Sequence, residues 1–230
     1  AATSAAEPPL ATSAGTERPP SRRTWVVASN CAIRLVSDAV QGEAGPISLE
    51  ASSVTGSLVA EESSGGGWPW DAAAGALRGT LTAQTPQTHA EAQFETDLVS
   101  QHQIRGLRAT GPDGELLAEV REACLDAPLP ELIRSEMWWN TVRAARVQAS
   151  QLALGTTGAG RLTVAGFPVA ESPLAPGWLR AAGRLTGLDV RMDTDGDGVQ
   201  RGRVSADRVG DLGSTVSAVF RHDPRAQAVD

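Results

Sequence analysis

Lysine and tyrosine are both absent from the 230 residues, and all 20 basic side chains are arginine. That excludes Schiff-base chemistry on a lysine and a phenolic proton donor. Acidic residues outnumber basic ones 27 to 20, for a net charge of −7, and no basic cluster is available to displace counterions from a phosphate backbone. A nucleic-acid binder is therefore not expected. No run of about 18 apolar residues occurs, so no helix is expected to cross a membrane. The three histidines, His89, His102 and His222, lack the close-spaced His or Cys companions of a zinc site. Neither a nucleophile elbow nor a phosphate loop is present, and the scattered acids suggest no acid–base pair. The chain does not read as an enzyme.

Residues 1–23 contain almost no large apolar side chain and four prolines, Pro8, Pro9, Pro19 and Pro20. Such a segment gains too little from burial to offset its ordering entropy, so it is expected to be an extended N-terminal arm, with residues 24–230 as one domain. The chain opens Ala1-Ala2-Thr3 rather than with Met, as an exported protein does after signal-peptide removal. A chain trimmed at that point would look the same. The expected location is the periplasm or another extracytoplasmic space. The two cysteines, Cys31 and Cys124, suit an oxidising compartment and form a disulfide candidate; two separate buried thiols are the alternative.

From Trp25 onward, period-two alternation dominates, which predicts a sheet with one wet face. Strands are expected at 25–36 with an interruption near Ser29-Asn30, then at 47–51, 54–59, 76–82, 90–96, 102–108 and 116–120. Residues 63–70, Gly-rich and including Trp68 and Trp70, read as a loop. Pro130 to Trp139 breaks the alternation. Its proline suits a first helical turn, and Leu132, Ile133, Met137 and Trp138 have roughly helical spacing. Strands resume at 147–152, 160–164, 180–192, 203–206 and 216–220. A dozen short strands with one small helix predict an all-β fold, an antiparallel barrel or sandwich.

Asp193, Asp195 and Asp197 alternate as calcium ligands do, but the twelfth loop position, where a bidentate carboxylate belongs, is Val204. A hairpin turn built from Asp and Gly accounts for the same letters, and no metal is required. Six tryptophans against three phenylalanines is an unusual balance. Trp68, Trp70 and Trp178 fall in Gly/Pro-rich stretches, where they either cap the core or face a lipid, a membrane or a protein partner. Trp25, Trp138 and Trp139 are expected in the core or lining a cavity. The small side chains of Ala90, Ala92, Ala149 and Ala218 are placed on the inward face.

Four blocks carry a family resemblance. Leu132-Ile133-Arg134-Ser135-Glu136-Met137-Trp138-Trp139-Asn140-Thr141-Val142-Arg143 and the strand after it, with Val147 and Ala149, resemble a signature of the YceI-like family. Gly160-Arg161-Leu162-Thr163-Val164-Ala165-Gly166-Phe167-Pro168-Val169 is similar to that family's hairpin. Trp25 to Leu35 is similar to its opening strand, and Cys124-Leu125-Asp126-Ala127 to the segment before its helix. Ala144-Ala145 departs from the usual aromatic-proline pair, and Asn30 stands near the place of the family's histidine. The resemblance implies a lipocalin-like antiparallel β-barrel, exported, with no required cofactor, holding an isoprenoid or quinone-type lipid. Its cavity candidates are then Trp25, Trp138, Trp139, Val147, Ala149, Leu162 and Phe167. The alternative is an accessory structural subunit of a membrane-associated complex, docked through the arm and the loop tryptophans.

Overall fold

A computed structural model describes residues 23–37, 47–62, 70–134, 138–156, 162–168, 183–210 and 213–223. The long strands are β1 (Arg23–Ser37), β2 (Ile47–Glu62), β3 (Trp70–Gln84), β4 (His89–Thr96), β5 (Gln101–Thr110), β6 (Leu116–Asp126) and β7 (Ala144–Thr156). After them come β8 (Leu162–Val164), β9 (Phe167–Pro168), β10 (Arg184–Thr194), β11 (Gln200–Ala206), β12 (Arg208–Val209) and β13 (Val216–His222). Between β6 and β7 lie the helix α1 (Leu129–Arg134) and a single 3-10 turn, Trp138–Thr141. All pairings are antiparallel, in the order β1-β2-β3-β4-β5-β6-β7-β10-β11-β13. The all-β expectation with one short helix holds. Among the described residues no ladder joins β1 to β13, so the sheet is not closed by hydrogen bonds. The expected arm lies outside the described residues.

Antiparallel strands that follow one another need only short turns, which is why the chain order and the sheet order nearly coincide. The turn chemistry is local. The Asp97 carboxylate accepts the backbone N–H groups of Val99, Ser100 and Gln101 at 2.8–2.9 Å, closing the β4–β5 corner.

A row of ladder irregularities runs across the middle of the sheet. Pairing of β1 with β2 shifts between Ala28 and Cys31, where Asn30 adopts φ 51°, and β2 has Ser53 at φ 52°. The row continues at Glu91/Gln93 opposite Gly106 (φ 61°), at Val120 to Glu122 against Ser150, and at Gly187 (φ 62°). Each bulge bends its strand and increases the local twist. Aligned across successive strands, they bend the sheet.

That inner face is apolar along whole cross-strand rows. One runs Leu49–Ala83–Ala90–Ala109–Ala118–Leu152–Leu185–Val209, and the next runs Ala51–Leu81–Ala92 and on through Val120, Ala149 and Leu188. Ala109 and Ala118 are fully buried, and Ala165 and Phe167 of the β8–β9 hairpin pack on them. Small side chains in this row allow the hairpin to lie close, so the space beneath it is filled rather than open. The opposite face carries Glu91, Arg105, Arg108 and Glu119, all exposed.

The helix connection is pinned by His102, on the inner side of β5. Its Nε2 donates to the Ala127 carbonyl at 3.1 Å and its Nδ1 accepts from Thr96 Oγ1 at 2.8 Å. Both bonds need a neutral ring, and burial lowers the His102 pKa further than the Ala127 carbonyl, Asp97 and Asp126 raise it. A histidine held below its ordinary 6.5 binds its proton more readily when unfolded. Its contribution to stability is therefore complete above about pH 6.5, declines as pH falls below that value, and levels off beneath the folded-state pKa. Urea denaturation at pH 8 and pH 5 should show this loss, and His102→Gln should show less of it.

Gly56 and Gly75, in the long ribbon of β2 and β3, are required by close backbone approach. A Cβ on Gly75 (φ +101°) would sit 2.3 Å from the Ser57 carbonyl oxygen, whereas Gly106 (φ +61°) has open space around it. Gly75→Ala is expected to cost about 3 kcal/mol and Gly106→Ala about 1 kcal/mol in chemical denaturation, because only the first adds a clash to backbone strain.

Candidate functional site

The candidate site is the apolar inner face where it reaches the two unpaired edges. In the centre its residues are buried: Val120, Ala149, Leu185, Leu188, Ala206 and Val209 form one cluster, with Val147, Leu152, Val190 and Val204 packed against it. Toward β1 the same rows come into solvent, with Ile33 57 % and Leu49 38 % exposed. Toward β13, Ala218 lies opposite Val204 on this face and is also exposed. Large apolar surface is normally covered. Here it is uncovered at both edges of the sheet.

Alternation assigns the residues of β1 to opposite sides. Val26 pairs with Leu58, which is 1 % exposed, so even-numbered residues of this segment face inward. Trp25 pairs with Val59 on the other face and is 73 % exposed, as is Val27. The expectation that Trp25 lines the core is corrected: its neighbours in register, not its size, decide its side. Ala218 is on the inward face as expected, and it is exposed there because, among the described residues, β13 has no neighbour beyond it. Ala90, Ala92 and Ala149 are buried inward as expected.

Of the other cavity candidates, Leu162 is buried, Val147 packs against the β6–β7–β10 cluster, and Phe167 packs on the alanine row. Trp138 and Trp139 lie in the 3-10 turn, their side chains outside the described residues. Trp70 opens β3 with its side chain likewise outside, and Trp68 and Trp178 lie wholly outside.

On the β13 side, a buried polar cluster closes the sheet end. The Val142 carbonyl accepts from Thr194 Oγ1 at 2.7 Å and from Gln200 Nε2 at 3.1 Å, while His222 Nε2 donates to Asn140 Oδ1 at 3.1 Å. The side-chain donors Thr194 Oγ1, Gln200 Nε2 and His222 Nε2 each find an acceptor here, where an unpaired buried group would be costly. Residues 58 and 82 positions apart meet here. No local pattern announces them.

The calcium candidate resolves into a turn. Asp195 Oδ1 accepts the N–H groups of Asp197 and Val199 at 3.1 and 2.9 Å, and its Oδ2 pairs with Arg201 at 3.0 Å. Gly198 takes φ 80° to close the hairpin. The carboxylate of Asp195 is committed to backbone and guanidinium, and among the described residues no three His, Cys, Asp or Glu side chains gather as a metal site would need. The disulfide candidate is also corrected. Cys31 is an exposed free thiol and Cys124 a half-buried one. β1 meets only β2, while β6 lies between β5 and β7, so the two strands are not neighbours.

Open clefts lie on the outer face. One of about 480 Å³ sits at the bulge row, lined by Arg121, Gln148, Ser150, Gly187, Asp189 and Asp207. Gln148 donates to Asp189 at 3.0 Å, and this bond, with Arg191, holds the Asp189 carboxyl below its ordinary range.

No protein-family model, curated protein or solved structure matches the chain.

The thiols provide a direct check on the strand order. Denatured, non-reduced protein should titrate two free thiols, and in the native state the exposed Cys31 should react well before Cys124, whose sulfur lies 3.3 Å from Gln103 Nε2.

Proposed function

We propose that the protein is a non-enzymatic binder of an elongated apolar ligand, an isoprenoid or quinone-type lipid, held along the inner face and admitted at its open edges. The observation that carries this reading is the exposure of Ile33, Leu49 and Ala218, the ends of otherwise buried apolar rows. An apolar chain laid there would cover surface that water now meets, at about 25 cal/mol per Å² removed. The resemblance of residues 25–35, 124–127, 132–150 and 160–169 to the YceI-like family points to the same ligand class and to an extracytoplasmic location. The described histidines support a non-catalytic role: His102 and His222 are both engaged in fixing the fold.

A second reading is supported by Trp25 and Val27, which face outward together beside Val59 and the exposed Ala74. Their exposure favours a protein partner, and the accessory-subunit role would use this face.

Organic extraction of the purified protein followed by mass spectrometry tests the first reading. A co-purifying isoprenoid-type lipid is expected, with at least a tenfold loss in Ile33→Asp/Leu49→Asp, since two buried charges would oppose an apolar ligand. Extracts without lipid from the unaltered protein would sink it. Loss of association with a complex in Trp25→Lys/Val27→Lys, with lipid retained, would favour the second.

A further inference from the structure

The outer face of β7, β10, β11 and β13 gathers arginines that the fold only partly neutralises. Arg146 stands opposite Arg191, and Arg191 opposite Arg203, so three guanidinium side chains share one row across three adjacent strands. Two residues along, Arg201 faces Arg221. All five are exposed. Like charges directly opposite one another in a sheet repel, so such a row is not there to stabilise the ladder.

The carboxylates of this region are Asp126, Asp189, Asp193 and Asp195, with Glu122, paired to Arg105, beside Arg146 across the ladder and Asp223 two residues past Arg221. Asp189 pairs with Arg191 at 3.0 Å, Asp195 with Arg201 at 3.0 Å, and Asp126 lies 4.0 Å from Arg143. Asp193 lies opposite Arg201 in the ladder. Arg146 acts on Asp189 at longer range, helping to lower its pKa. Arg146, Arg203 and Arg221 make no ion pair among the described residues. In a chain of net charge −7, this accumulation runs against the average. At the edge of the same row, opposite Arg203, Val219 is 82 % exposed.

We propose that this face docks the protein on a membrane surface containing anionic phospholipid. Guanidinium groups bind phosphate oxygens in a bidentate fashion, and an edge strand with a bare valine beside them suits the boundary between headgroups and acyl chains. A row of cations at the strand spacing of about 4.8 Å asks only for dense negative charge. β13 is itself an open edge of the apolar face, so docking there would bring that edge to the lipid. Docking depends on the proposed lipid role for its purpose but not for its chemistry.

The experiment is co-sedimentation with phosphatidylcholine vesicles, with and without phosphatidylglycerol, at low and high salt. Binding is expected only with phosphatidylglycerol and should be released by salt. Arg146→Gln/Arg203→Gln/Arg221→Gln should weaken it about a hundredfold, each basic residue near an anionic surface contributing roughly a factor of five. Absence of binding, equal binding to pure phosphatidylcholine, insensitivity to salt, or full affinity in the triple variant would each overturn the proposal. So would binding to polyglutamate without binding to vesicles, which would assign the face to an acidic protein. Salt release of the unaltered protein keeps the test decisive even if the triple variant misfolds. Lipid extracted from the same samples separates the two ideas: intact docking by a protein that carries no lipid leaves this surface standing and removes the ligand role alone.

Discussion

Everything distinctive about this molecule depends on where its β-ladder is broken. Long antiparallel strands of regular register would make a broad twisted ribbon with an apolar face in water. Asn30, Ser53, Gly106 and Gly187 each take a left-handed backbone conformation in the middle of a strand, and their positions line up across the sheet. The common bend turns the ribbon inward. Apolar rows contributed by eight strands are largely buried, with little help from the single helix. Glycine adopts such a conformation without steric cost, and asparagine tolerates it better than most residues. Ser53 has neither advantage, so its strain is held by the pairing on both sides.

Curling without closure has a second effect. A closed barrel has no edges, but an open curl leaves two, and each edge shows both faces of its strand. On β1 these are Ile33 inside and Trp25 with Val27 outside; on β13 they are Ala218 inside and Val219 outside. All the large hydrophobic side chains that stand exposed among the described residues therefore belong to β1, its neighbour β2, or β13. The proposed ligand site and the proposed membrane-docking face both lie at these open edges.

The polar side chains divide into those that hold the fold and those left over. His102, Asp97, Asp195, Gln200 and His222 are each used by backbone or by a buried partner, and this accounts for the letters that most resembled chemistry in the sequence. The unused polar groups are on the convex face, where Arg146, Arg203 and Arg221 accumulate.

The all-β class, the single helix after residue 128, the break near Asn30 and the Asp-Gly hairpin after residue 193 were all legible in the sequence. Each rests on a local property: side-chain alternation, a proline in a first turn, or residues suited to positive φ. Local properties also have a limit. Period two says that neighbouring side chains of a strand face opposite ways, but which set faces the core is decided by the adjacent strand, and Trp25 fell on the wet side because Leu58 stands beside Val26. Register is likewise a property of pairs, shifted by every bulge, so no reading of single strands could bring Arg146, Arg191 and Arg203 into one row or set Cys31 apart from Cys124. Alternation is written into the chain; the choice of face, the neighbours across a strand and the open edges exist only once the sheet has formed.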